Sequence, residues 1–269
     1  MKGRHRPLLA AALALCWGHG ASAGFPAVQL PAADVHVIGE VHGHPDHHAY
    51  QAALTAALQP AAIVFEMLLP EQADRVTPDL RDDAEALGAA LAWEERGWPD
   101  FTLYHPIFTA APGAAVVGGD LPRDEVRRAV TDGAAAVFGP GAARFGLDRP
   151  LPDEQQAARE ALQARVHCDA LPESILPGMV EAQRLRDAAL ADAVLRAIAE
   201  HGGPVVLITG SGHARTDWGV PALLALAAPD LTVHAIGQLE GTASPDAPYD
   251  KLRVSTPMER PDPCAAFAD

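Results

Sequence analysis

The chain has 269 residues, is 49% hydrophobic but only 5% aromatic, and carries a net charge of −15 at pH 7. A surface this acidic argues against nucleic acid and anionic lipid as partners, and suits a soluble protein that meets small ligands or cations. The length is enough to bury one sizeable α/β core.

Residues 1–23 read as a secretory signal. Lys2, Arg4 and Arg6 form a basic start, residues 8–15 a short apolar stretch, and Ala21-Ser22-Ala23 a small-residue cleavage site. Cleavage there would remove three basic residues and no acidic ones, taking the net charge from −15 to −18 and leaving Lys251 as the one lysine. The expected location is the periplasm. Leu13-Ala14-Leu15-Cys16 loosely matches a lipoprotein box, so a lipid anchor through Cys16 in the cell envelope is the alternative, although such a box wants a small residue where Leu15 stands. Residues 24–33 then form an N-terminal extension, 34–240 one α/β domain, and 241–269 a tail with an edge strand at 251–255. No later segment is long and apolar enough to span a membrane.

Five short, β-branched, nearly continuous apolar runs are expected as strands: 35–38, 62–65, 115–117, 205–209 and 231–236. Continuous rather than alternating apolar character marks strands buried on both faces. Helical patterns fall between them at 46–58, 124–130, 153–166 and 173–200, and the stretches 71–108 and 131–178 read as helical insertions. The alternation predicts a mostly parallel central sheet flanked by helices.

Two of these strands end in the same element. Gly39-Glu40-Val41-His42 closes the first and Gly210-Ser211-Gly212-His213 closes the fourth. Open α/β sheets bind ligands at the C-terminal ends of their strands, so both histidines are expected on one rim. Glu66 ends the second strand. A carboxylate there needs a partner, because desolvation would otherwise neutralise it. Glu40, His42, Glu66 and His213 are therefore candidate catalytic residues, and His42, His47, Glu66 and His213 candidate ligands for a divalent zinc, manganese or iron ion. The plainer reading of His42, His44, His47 and His48 is a solvated helix start, and that of the carboxylates is structural ion pairing with Arg123 or Arg215. The aromatic stretch 97–108 suits a flat apolar ligand, with Tyr104 as a haem-iron donor and Asp120, Arg123 and Arg215 completing a cofactor site; a satellite hydrophobic cluster is its plainer reading. Cys168 and Cys264 either pair or remain free thiols.

These segments resemble the ChaN-like haem-binding domain. The resemblance is carried by Gly39-Glu40-Val41-His42, Pro45-Asp46-His47-His48, Gln51, the run from Gly97-Trp98 to Tyr104-His105-Pro106, Asp120-Leu121-Pro122-Arg123, residues 179–187, Gly210-Ser211-Gly212-His213 and Trp218-Gly219-Val220-Pro221. They occur in order over residues 34–238. The resemblance implies a haem- or iron-binding envelope protein serving uptake, within a superfamily that also holds Tiki-type metalloproteases, TraB-like proteins and erythromycin esterases. It places Glu40, His42, Glu66 and His213 in the shared site and makes Tyr104 a haem-ligand candidate. The chain departs from the family pattern at Gly43, where many members have Asp, and at Asp120, where many have Asn. Haem or another small molecule is the expected partner, a homodimer an allowed state, and a metal-dependent esterase or peptidase the alternative function.

Overall fold

In the computed structural model, which describes residues 30–262 and 264–265, the strands β1 (Val35–Glu40), β2 (Ala62–Phe65), β3 (Ala115–Gly118), β4 (Val205–Gly210), β5 (Val233–Glu240) and β6 (Lys251–Ser255) form one sheet. Their order is β3-β2-β4-β1-β5-β6, and every pairing is parallel. This is the expected α/β architecture. The signal segment and Cys16 lie outside the described residues.

Side chains alternate across each strand, so the sheet has two apolar faces. Val35, Val37, Val64, Val205 and Leu207 point to one and pack against the long helix Leu176–His201. Ile38, Ile63, Phe65, Val206 and Ile208 point to the other, under the helices Pro45–Leu58 and Phe101–Ala110. We label these helices α1 (Pro45–Leu58), α2 (Phe101–Ala110), α3 (Arg123–Asp132), α4 (Asp153–Val166), α5 (Leu176–His201) and α6 (Val220–Ala227). The two insertions thus cover opposite faces, which is why the strands between them carry so few polar residues.

The fifth strand starts later than expected and runs on to Glu240. Gly237 and Gln238 interrupt its apolar pattern, yet Gln238 is fully buried and its carboxamide donates to Gly39 O and His47 O. Hydrogen bonding thus takes over from apolar packing at that point.

A disulfide joins Cys168, just past α4, to Cys264 in the tail. Among the described residues no helix is long and apolar enough to cross a membrane.

Candidate functional site

β1 and β4 are neighbours, in register from Val35↔Val205 to Glu40↔Gly210. The two Gly-x-x-His elements therefore leave the sheet side by side. Their glycines permit the close approach: a Cβ on Gly39 would lie 2.8 Å from Ser211 Cα, and one on Gly210 would lie 3.1 Å from His42 Nε2. Each motif's glycine makes room for the other motif.

Both histidines are oriented through Nδ1 by a carboxylate. His42 Nδ1 is 2.6 Å from Glu40 Oε1, and His213 Nδ1 is 2.6 Å from Asp187 Oδ1. Their Nε2 atoms face one carboxylate oxygen, Glu66 Oε1, at 3.9 Å and 3.6 Å. Arg186, on α5 beside Asp187, donates to the same oxygen at 2.7 Å. Thr209 Oγ1 and the Gly210 amide each donate to Glu66 Oε2 at 2.6 Å. Three carboxylates thus meet two imidazoles and one guanidinium at the strand ends.

Burial disfavours the charged form of these carboxylates and imidazoles, and the contacts of the cluster decide the outcome. For His42, burial is outweighed by the Glu40 hydrogen bond and the fields of Glu66 and Glu40, which hold its pKa up at about 9. Glu40 is buried too, but its contacts with His42 and His48 bring it down to about 2. In the same way His213, His42 and Arg186 hold Glu66 well below the carboxylate range. His213 is raised: the fields of Glu66 and Asp187 overcome its desolvation. Burial pushes Asp187 up, against the opposing pull of His213.

A second polar shell holds Glu40. Tyr104 donates to Oε1 at 2.8 Å, and His48 Nδ1 lies 3.2 Å from Oε2. His48 Nε2 accepts the Gly43 amide at 3.1 Å, so its proton resides on Nδ1, shared with Gln51 Oε1.

Glu40, His42, Glu66 and His213 come together as expected on one rim. The other expected site residues lie around this cluster: Asp120 and Arg123 line a cleft beside it, and Tyr104 stands behind Glu40. Tyr104 is fully buried, and its hydroxyl is committed to Glu40. Burial first, then the charge of Glu40, drives its pKa far above the ordinary phenol value. His47 turns toward the tail: Nδ1 accepts the Val41 amide and Nε2 contacts Ser255 Oγ at 2.8 Å, leaving no nitrogen for a metal. Arg215 pairs with Asp217 and stacks on Trp218, 3.7 Å from the ring centroid. Asp120 pairs with Arg96, and Arg123 donates to Arg96 O. Among the described residues no group of three or more His, Cys, Asp or Glu side chains is disposed to hold a metal ion. Arg186 brings a positive charge to Glu66.

Arg186 and Asp187 complete the site from α5, inside the motif at residues 179–187 but with no individual role expected for either. The available signal was an acid on the apolar stripe of α5: Val180, Asp187, Ala191 and Val194 are all buried at helical spacing.

Beside the rim lies a cleft of about 410 Å³, where Trp98 and Leu121 meet Arg96, Arg123, Arg127 and Arg186. The His42 ring packs on Trp98 at 5.2 Å between centroids.

Fold and site together define a parallel α/β protein with carboxylate-backed histidines at its strand ends. The chain belongs to the family of haem-binding uptake proteins of the Tiki superfamily, ChaN, whose model matches residues 27–224. Among solved structures it is similar to ChaN of Campylobacter jejuni, described with cofacial haem binding. The two share 19% identity with a TM-score of 0.64, over 82% of this chain and 86% of that one. An erythromycin esterase in an open conformation is 15% identical with a TM-score of 0.42, over 81% of this chain and 74% of that one. No curated protein matches the sequence.

Proposed function

We propose that this protein binds haem at the rim cleft and serves haem or iron uptake in the cell envelope. The observation that carries this reading is the cleft itself, in a chain of a haem-binding family. Its walls offer what haem requires. Trp98, Leu121 and Val126 supply an apolar surface for the macrocycle. Arg123 and Arg127 form no ion pair among the described residues and are the natural partners of propionates. His42, whose side chain is 35% exposed, is the accessible donor for iron in place of Tyr104. Haem iron supplies the coordination chemistry. The protein's part is to hold His42 by its Nδ1 contact with Glu40, leaving Nε2 to the ligand. Because His42 titrates near 9, Nε2 must lose a proton before it donates, so haem affinity is expected to climb with pH toward about 9. The Cys168–Cys264 bond supports an oxidising compartment such as the periplasm.

Haem titration followed by absorbance tests the reading. His42→Ala should weaken binding by at least about tenfold and shift the Soret band, since it removes the proposed iron bond. Tyr104→Phe should leave the band in place. A protein without saturable binding, or one whose band depends on Tyr104 and not on His42, would overturn the assignment.

One observation favours a second reading. Two histidines, each backed by a carboxylate and facing a third, form an arrangement suited to proton transfer, as an esterase or peptidase needs. Hydrolysis of an ester or peptide that vanishes in both His42→Ala and His213→Ala would support it; activity surviving both would dismiss it.

A further inference from the structure

On the Asp187 side of the His213–Asp187 pair lies a second, smaller cavity of about 80 Å³, bounded by α4, α5 and the loop after β4. Its lining is unusual for a buried space. Arg159 is only 8% exposed, yet among the described residues its Nη2 makes just two long hydrogen bonds, 3.3 Å to Gln155 Oε1 and 3.4 Å to Trp218 O, and its Nε makes none. Gln163 is 5% exposed, and among the described residues its Oε1 has no partner; Gln183 Oε1, also shielded, has none among them either. No carboxylate forms an ion pair with Arg159 among the described residues. Of the two acids whose fields reach it, Asp187 and Asp217, the first is already matched by His213 at 2.6 Å and the second by Arg215. Desolvation lowers the Arg159 pKa against the attraction of Asp187 and Asp217, and the Trp218 ring faces the guanidinium at 5.3 Å.

Ordered water would satisfy the hydrogen-bonding groups. It would not neutralise the guanidinium, and a buried charge left unpaired is costly. The side-chain amides of Gln163 and Gln183 can turn either face to a guest. Leu162, Val180 and Trp218 add apolar contact. The space is smaller than the ~150 Å³ cavity known to take benzene, which limits a guest to roughly two to four carbons. From the unpaired guanidinium, the two unsatisfied amides and this size, we infer that the cavity is a binding site for a small monocarboxylate, held through Arg159 with Gln163 and Gln183 completing its hydrogen bonds. Gly212, an exposed residue of the lining, stands at the mouth. The site shares the His213–Asp187 wall with the rim but does not include Glu66.

Calorimetric titration of the full chain, dialysed free of carboxylates, with acetate and lactate tests this inference; acetamide serves as the uncharged control. One saturable site per chain is expected for the carboxylates and none for acetamide. Arg159→Met should weaken binding by about tenfold or more. A Cβ at Gly212 meets nothing within 4 Å, so Gly212→Leu should close the mouth without disturbing the fold and should also abolish binding. This second variant decides the matter if Arg159→Met does not fold. The inference is overturned if the native protein shows no saturable binding, if acetamide binds equally well, or if a folded Arg159→Met or Gly212→Leu binds as the native protein does.

Discussion

Glu66→Gln is expected to lower stability by about 3–5 kcal/mol, the usual cost of removing one partner from a buried charge network. The carboxylate accepts from Thr209, Gly210 and Arg186 at 2.6, 2.6 and 2.7 Å. A carboxamide has one acceptor oxygen, so its amino group must face at least one of those donors. The substitution also strips His42 and His213 of the anion they share. The pKa of His42, held at about 9 by Glu40 and Glu66, should then fall toward the ordinary histidine range. Urea unfolding reads the first effect, and an NMR titration of the His42 ring reads the second. A variant with native stability and an unmoved His42 would show that Glu66 is not the centre of the cluster.

Stability should peak near pH 6.5 and fall on both sides by several kcal/mol. Two histidines set the acid limb. His36 is brought down to about 4, first by burial and then by the neighbouring His234. His47 is brought down to about 3, first by burial and then by His44 and Arg253. Below pH 6.5 the unfolded chain binds protons that these folded rings refuse, so stability declines as pH falls toward those values. The low pKa of Glu40, about 2, steepens the loss below about pH 4.5. Asp187 and Asp120, both raised by burial, act in the opposite sense and blunt it. His42 sets the alkaline limb. Its folded pKa lies above the unfolded one, so its contribution is complete below about pH 6.5 and disappears as pH rises through about 9. Unfolding midpoints at a series of pH values would trace the curve. His36→Leu should flatten the acid limb, because His36 Nδ1 is buried without a hydrogen-bond partner. A profile that keeps rising from pH 6.5 to 9 would contradict the role given to His42.

The backbone plan was readable because strands covered on both faces must be apolar throughout, and four of the five expected strands differ from the observed ones by at most two residues at an end. The paired motifs were readable for the same reason: strand ends are where glycine and histidine have little cause to occur unless the chain must turn sharply at a ligand site. What could not be read was direction. Tyr104 looked like a rim residue because its neighbours are aromatic, but α2 lies over the sheet face and carries it into the core. Arg215 sits two residues past His213, yet the local contacts with Asp217 and Trp218 hold it away. Arg186 and Asp187 reach the site from the middle of a 26-residue helix, and only the packing of α5 on the sheet reveals that they end there.

The order of strands in the sheet also has a consequence for how the molecule is made. β4 lies between β2 and β1, and among the described residues β1 pairs only with β4 and β5. A ribosome that has released the chain as far as α5 has therefore produced β1 with no strand to pair with, and a β2–β3 pair with an open, apolar edge. Such edges invite association with other chains. That edge stays open until β4 has emerged, and the two Gly-x-x-His elements can meet only once both are out.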